Sequence, residues 1–225
     1  MMKNKRLLLT LGIYVVLFYA SWAFVEMVLI VWMAAIFDKV TMTLMRDALI
    51  KNLLWTLPAL LLIHASRGEL AVGEKEMWRW KKKDFLILLP LAAFLAAFVL
   101  VGSLVRRHGL SISPNFGWDS VIIVLTVGVT EELVFRGWLL NVMAKNADTE
   151  GKKLLVLLLN AVMFLCIHFP IWITSGVFVS SFRSMGFVTV IVLSMLFGMS
   201  FLRTKNLLVP IILHSFYDLL VFMFV

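Results

Sequence analysis

The chain has 225 residues, of which 62% are hydrophobic and 15% are charged, whereas soluble domains carry roughly 45–50% and about 25%. This composition and a mean hydropathy of +1.00 exclude an ordinary soluble domain. The formal net charge of +8 comes from basic residues in short loops between apolar runs, where lipid headgroups attract them, so we expect no nucleic-acid partner. The one cysteine, Cys166, excludes an intrachain disulfide and a cysteine-based zinc cage.

Apolar segments follow one another along the chain, each near or above the ~20 residues that cross a bilayer as a helix. They cover residues 7–37, 49–65, 85–105, 119–141, 153–173, 186–202 and 207–225. The basic start is similar to a secretory signal, but its apolar run continues to Phe37, so we interpret it as a retained first span. We therefore predict an all-α, polytopic transmembrane helix bundle of about seven to eight spans, folded as a single domain over residues 1–225.

The basic residues are distributed unequally between the two ends of the predicted spans. Most of the 21 Lys and Arg residues fall in the N-terminus and in the loops at 66–84, 142–152 and 203–205. The opposite side has Lys39, Arg46, Lys51, Arg106, Arg107 and Arg183. The positive-inside rule then predicts a cytoplasmic N-terminus for this multi-pass protein.

The fourth segment contains three ionisable residues, Glu131, Glu132 and Arg136. Such groups are costly inside a membrane unless paired or hydrated, so each is a functional-site hypothesis. Glu132 and Arg136 lie one turn apart on one helix face, with the acid N-terminal to the base, which favours an ion pair. Glu131 points about 100° away, so we expect it to remain unpaired and to serve as a general base. The structural alternative is an ion-pair cluster that stabilises the bundle.

Two further segments carry polar groups at helical spacing. The fifth has Asn160, Phe164 and His168 at successive i+4 positions, so that they line one stripe. The last has His214 and Asp218 one turn apart, which places Asp218 to orient the His214 ring. A lone histidine near the end of a span is usually interfacial. Two histidines and several acids on three spans are hard to explain by packing, so we predict that they form one site.

Three ordered motifs in these segments resemble those of the CPBP family, which contains the type II CAAX prenyl proteases and the bacteriocin-processing and self-immunity proteins. The motifs are E-E-L-V-F-R at 131–136, F-L-C-I-H at 164–168 and H-S-F-Y-D at 214–218. The lead-in R-T-K-N-L-L-V-P at 203–210 is also similar. The resemblance covers roughly residues 119–220, the predicted protease core. Each motif alone is a weak signal, but three in order within apolar spans are a strong one.

The resemblance implies an intramembrane glutamic protease of a bacterial cell membrane, acting on a membrane protein or peptide. By position, Glu131 and His168 would activate water, while His214 and Asp218 would stabilise the oxyanion. Glu132 and Arg136 would hold the fourth helix in register. The family often has Asn where this chain has Asp218. An ionised Asp cannot donate to an oxyanion, so Asp218 is either protonated or an acceptor that orients His214.

Alternative interpretations use the same residues. Glu131, His168 and His214 would suffice as three zinc ligands with an open fourth position, but the chain lacks His-Glu-x-x-His, and a Glu–His pair can activate water alone. We therefore expect no cofactor. A non-catalytic immunity or partner-binding protein on the same scaffold is the second hypothesis. A proton-coupled transporter is the third, although the chain lacks the paired inverted repeats expected of many transporters.

Overall fold

The computed structural model describes residues 5–225 and, among these, the side chains of residue 5 and of residues 8–225. This part of the chain is helical and contains no strand. Helix α1 comprises Lys5–Phe24, Val25–Leu29 and Ile30–Met33; α2 comprises Lys39–Thr43, Leu44–Ile50, Asn52–Thr56 and Leu57–Ala65; α3 is Phe85–Arg107. Helix α4 comprises Trp118–Glu132, Leu133–Leu140 and Asn141–Ala144; the remaining helices are α5 Glu150–Cys166, α6 Phe169–Thr174, α7 Phe178–Arg183, α8 Gly186–Thr204 and α9 Leu208–Phe224.

Five helical stretches are long and apolar enough to cross a membrane. They are Leu8–Met33, Lys39–Ala65, Lys82–Arg107, Glu150–Thr174 and Gly186–Thr204. Leu208–Phe224 is equally apolar but shorter. Helix α4 is not among the five because Glu131, Glu132 and Arg136 interrupt its apolar sequence. These helices confirm the predicted all-α membrane bundle, and their number is compatible with seven to eight spans.

Helix α4 lies at the centre of the bundle. Every residue from 130 to 142 is buried, and α4 packs against α2, α5 and α9. Gly128 permits the close approach of α9, since a Cβ there would come within 3.2 Å of the Ser215 backbone nitrogen. Helix α8 packs on α5, and α3 packs on α9. The central position means that charges on α4 must find partners within α4 itself or on a neighbouring helix.

The second span begins earlier than the hydropathy pattern predicts. The predicted segment started at residue 49, with Lys39 and Arg46 before it and Lys51 at its external end, whereas α2 begins at Lys39. Asp38 caps it by accepting hydrogen bonds from the Val40 and Thr41 N–H groups. Its bonds with Thr41 hold the pKa of the exposed Asp38 carboxyl below its usual range. The loop prediction was wrong because the charged side chains of Arg46, Asp47 and Lys51 face the bundle and not water.

The fifth predicted segment, 153–173, is divided by a turn. Helix α5 ends at Cys166, and α6 starts at Phe169. Pro170 is the second residue of α6 and has no N–H with which to continue the hydrogen-bond ladder from α5. His168 therefore lies on the turn between two helices and not on a continuous helix face.

Candidate active site

The predicted ion pair between Glu132 and Arg136 forms the base of the site. Arg136 Nη1 lies 2.8 Å from Glu132 Oε1, and both side chains are fully buried. Arg136 Nη2 also donates to the backbone oxygen and hydroxyl of Ser194 on α8, at 2.9 and 2.7 Å. The guanidinium lies 4.7 Å from the ring centroid of Phe164 on α5. Arg136 thus joins α4 to two other helices as well as neutralising Glu132.

His214 is oriented by Glu132. The His214 Nδ1 atom lies 2.9 Å from Glu132 Oε1, the same oxygen that accepts from Arg136. Asp218, which we predicted to orient this ring, has its Oδ2 atom 3.6 Å from the other nitrogen, Nε2. The His214 ring also stacks on Phe197, with centroids 5.1 Å apart. With Nδ1 and one ring face held, Nε2 is directed toward Glu131 and Asp218.

Glu131 has a partner that the sequence pattern did not reveal. Its Oε1 accepts a hydrogen bond of 2.9 Å from the Nζ atom of Lys51 on α2. The expectation that Glu131 would remain unpaired was therefore wrong, because the cation comes from another helix. Its second oxygen, Oε2, lies 3.9 Å from His214 Nε2. Glu131 thus has one oxygen held by Lys51 and one directed toward the histidine.

The sequence does contain a pattern that involves Lys51, but this pattern predicts a different partner, Asp47. Asp47 and Lys51 are spaced i,i+4, as expected for a helical ion pair. Hydropathy placed Asp47 before the second span and Lys51 at its start, and nothing in spacing links residue 51 to a residue 80 positions away. Glu26 also lies inside the bundle, with 2% exposure, and its Oε1 atom is 4.0 Å from the Nε atom of Arg46.

His168 lines two cavities. The first, which we call the Glu131 cavity, has a volume of about 340 Å³ and is also lined by Glu131 and Lys51. The second, the His214 cavity, has a volume of about 290 Å³ and is also lined by His214 and Asp218. The structure therefore brings the four predicted catalytic residues to two cavities that share His168 as a wall.

The His168 ring is held so that one nitrogen is available. Nδ1 lies 3.0 Å from the backbone oxygen of Phe164, to which it is placed to donate. A neutral ring with this tautomer has an acceptor lone pair on Nε2. The Phe164 ring packs against both His168 and His214, with centroid distances of 5.3 and 6.0 Å. Asn160 supports this arrangement by donating to the Phe135 backbone oxygen on α4 at 2.9 Å.

The geometry gives no preassembled metal site. Within residues 5–225, no three His, Cys, Asp or Glu side chains lie close enough together to hold a metal ion. Among the candidate zinc ligands, Glu131 is engaged by Lys51 and His214 Nδ1 by Glu132. Zinc binding would require both contacts to rearrange or a ligand set different from the one considered.

Replacing Arg136 tests the ion pair at the base of the site. Arg136→Met leaves Glu132 buried without its cation, and breaking a buried pair from one side costs about 3–5 kcal/mol. We expect a large fall in the thermal unfolding midpoint of the detergent-purified protein. Arg203→Met, at an exposed position on α8, is the matched control and should leave the midpoint almost unchanged. Equal midpoints for the two variants would contradict a supporting role for Arg136.

A family comparison covers the segment that contains most of these residues. Residues 113–220 match the family model described as type II CAAX prenyl endopeptidase Rce1-like. The matched segment contains Glu131, His168, His214 and Asp218 but not Lys51. Neither the curated proteins nor the solved structures contain a match to the chain. Residues 113–220, which are 108 of the 225 residues, are therefore similar to the Rce1-like type II CAAX prenyl endopeptidase family, and this similarity indicates a membrane-embedded protease.

Proposed function

We propose that this protein is an intramembrane endopeptidase that hydrolyses peptide bonds with a water activated by Glu131 and His168. The observation that carries the proposal is the Glu131 cavity, which both side chains line. A carboxylate oxygen and an imidazole nitrogen facing one space of about 340 Å³ can hold a water between two proton acceptors. The similarity of residues 113–220 to the family model supports the protease class, and the division of roles among the residues is our proposal.

In the proposed reaction, Glu131 accepts a proton from water while the oxygen of that water attacks the substrate carbonyl carbon. Glu131 Oε2 is the acceptor, because Lys51 holds Oε1. The carbonyl double bond opens, and its electron pair moves to the oxygen. The accepted proton is then passed to the leaving nitrogen as the C–N bond breaks, so the enzyme returns to its starting state. His168 supports this transfer as the second acceptor for the water.

His214 is the proposed oxyanion donor. Its Nδ1 is directed at Glu132, which leaves Nε2 to face the reacting carbonyl. A ring that donates from both nitrogens is a cation, and carboxylate oxygens of Glu131, Glu132 and Asp218 lie within 3.9 Å of its nitrogens to balance that charge. We propose that Asp218 contributes to this charge balance and holds the Nε2 atom of His214 in position. Removing one oxyanion donor typically lowers kcat by about 10²–10³.

The proposed substrate is a membrane-associated protein or peptide. The residues that line the His214 cavity include several apolar side chains, among them Val190 and Leu193 of α8. We further propose a bacterial cell membrane as the location, a cytoplasmic N-terminus and a single domain. Arg46 and Lys51 lie in the bundle, so they no longer count among the basic residues on the predicted external side. Without them the excess of basic residues on the cytoplasmic side is larger, which strengthens the proposed orientation.

Replacing Glu131 tests the proposed base. Glu131→Gln keeps the size of the side chain but cannot accept the proton, and general-base catalysis contributes typically 10²–10⁴-fold. We expect cleavage products present in cells carrying the wild type to be missing in cells carrying this variant, as measured by peptide and membrane-protein mass spectrometry. Glu150→Gln, 90% exposed at the start of α5, is the matched control. Identical product profiles for wild type and Glu131→Gln would refute proteolysis.

Replacing Asp218 tests the oxyanion side. The family often has Asn at this position, and an Asn amide can itself donate to the oxyanion. We expect Asp218→Asn to keep kcat within about tenfold of wild type, and Asp218→Leu to lose about 100-fold. The measurement is cleavage of internally quenched peptides ending in Cys-a-a-X, with and without a farnesyl group, by protein in liposomes. Full activity of the leucine variant would remove Asp218 from the site.

A chelator tests whether a metal takes part. Because Glu131 and His168 suffice as proton acceptors in the proposed reaction, we expect EDTA or 1,10-phenanthroline to leave the initial cleavage rate unchanged. Elemental analysis of the same purified sample should find less than one zinc per ten chains. Loss of cleavage with chelator and its return with added zinc would replace the proposed mechanism by a metal-dependent one.

The second candidate function is a non-catalytic immunity or partner-binding membrane protein. One observation favours it, namely that Glu131 is paired with Lys51, as in a purely structural ion-pair cluster. The Glu131→Gln variant separates the two candidates. A binding protein keeps its protective or partner-binding effect when this carboxylate becomes an amide, whereas a protease loses its products.

A further inference from the structure

Lys51 is buried among side chains of three helices, α1, α2 and α4. Its residue exposure is 5%, and its Nζ atom lies 2.9 Å from Glu131 Oε1 on α4 and 3.4 Å from Asp47 Oδ1 on α2. The same atom lies 5.1 Å from the ring centroid of Trp22 on α1 and 4.8 Å from that of Trp55 on α2. Two carboxylates and two indole faces therefore fix the ammonium group in position.

We propose that Lys51 is a positioning residue for the reaction proposed above, with Glu131 as the group that it orients. Because the ammonium binds Oε1, the carboxylate can only present Oε2 to the cavity and to His214. Lys51 thereby selects which oxygen accepts the proton from water. It also holds the carboxylate plane, since the lysine cannot follow a rotating Glu131 without leaving Trp22 and Trp55.

No other described cation can take over this task. Arg46 is the nearest candidate, since it lines the same cavity. Its Nε and Nη2 atoms both bind Asp47 Oδ2, at 2.9 and 2.8 Å, and it also faces Glu26. Arg136 is engaged with Glu132 and Ser194. Loss of Lys51 would leave the Oε1 atom of Glu131 without a lysine or arginine partner.

The balance of charges around the two cavities also supports a role for Lys51 next to Glu131. The buried and partly buried carboxylates around the two cavities outnumber the permanent cations. The carboxylates are Glu26, Asp47, Glu131, Glu132 and Asp218, and the cations are Arg46, Lys51 and Arg136. Removing Lys51 widens an existing excess of negative charge directly beside the proposed base, so its role concerns the reacting group and not only packing.

The inference rests on the proposed function, and its test separates the two. Lys51→Met removes the charge at similar length, and Lys51→Arg retains a charge. Lys39→Met makes the same chemical change on the same helix, at a side chain that is 68% exposed and pairs with Asp119. Each protein is reconstituted in liposomes, and kcat and KM are measured with the internally quenched Cys-a-a-X peptides. The thermal midpoint of each sample reports the folded fraction.

A positioning role predicts a specific pattern. Lys51→Met should lower kcat by about 100-fold, as expected for a misplaced reacting group, with KM within threefold of wild type. Lys51→Arg should recover at least tenfold of that loss, and Lys39→Met should behave as wild type. If folded Lys51→Met keeps kcat within threefold, or if Lys51→Arg is no better than Lys51→Met, the inference is overturned. If the wild type itself cleaves nothing, the proposed function falls, and this inference with it.

Discussion

The structure depends on one constraint, which is the burial of charged groups on the central helix. Helix α4 carries Glu131, Glu132 and Arg136 at buried positions. Glu132 and Arg136 compensate each other within α4, and further partners come from other helices. Lys51 approaches from α2, Ser194 from α8 and His214 from α9. The bundle therefore contains a polar centre beside its apolar core.

Glu132 Oε1 is the atom at which the structural and the chemical parts of this centre meet. It accepts from Arg136, which joins α4 to α8, and from His214, which is the proposed oxyanion donor. Because one carboxylate oxygen accepts hydrogen bonds from both partners, a shift of α8 would also move the imidazole of α9. This shared oxygen explains why a residue assigned to helix packing also determines the direction of a catalytic side chain.

The sequence predicts the interactions that lie within one helix and misses those that join helices. The pair of Glu132 with Arg136 follows from i,i+4 spacing, and the ordered motifs identify His168 and His214. The pairs of Lys51 with Glu131 and of His214 with Glu132 span 80 and 82 positions, and helical periodicity carries no information about such distances. Hydropathy misplaced α2 for a related reason, since it reads a charge facing the bundle as a charge facing water. The hydropathy pattern likewise does not register Pro170, which accompanies the turn at His168.

The position of Lys51 outside residues 113–220 has a consequence for the evolution of the chain. The motifs lie on α4 to α9, yet the carboxylate at their centre is completed by α2. Residues 51 and 131 should therefore change together among relatives, and a relative without a cation at the first position should carry a compensating one elsewhere. The amino-terminal helices and the motif-bearing helices should therefore be inherited together, because an exchange of either half between relatives would separate Glu131 from Lys51.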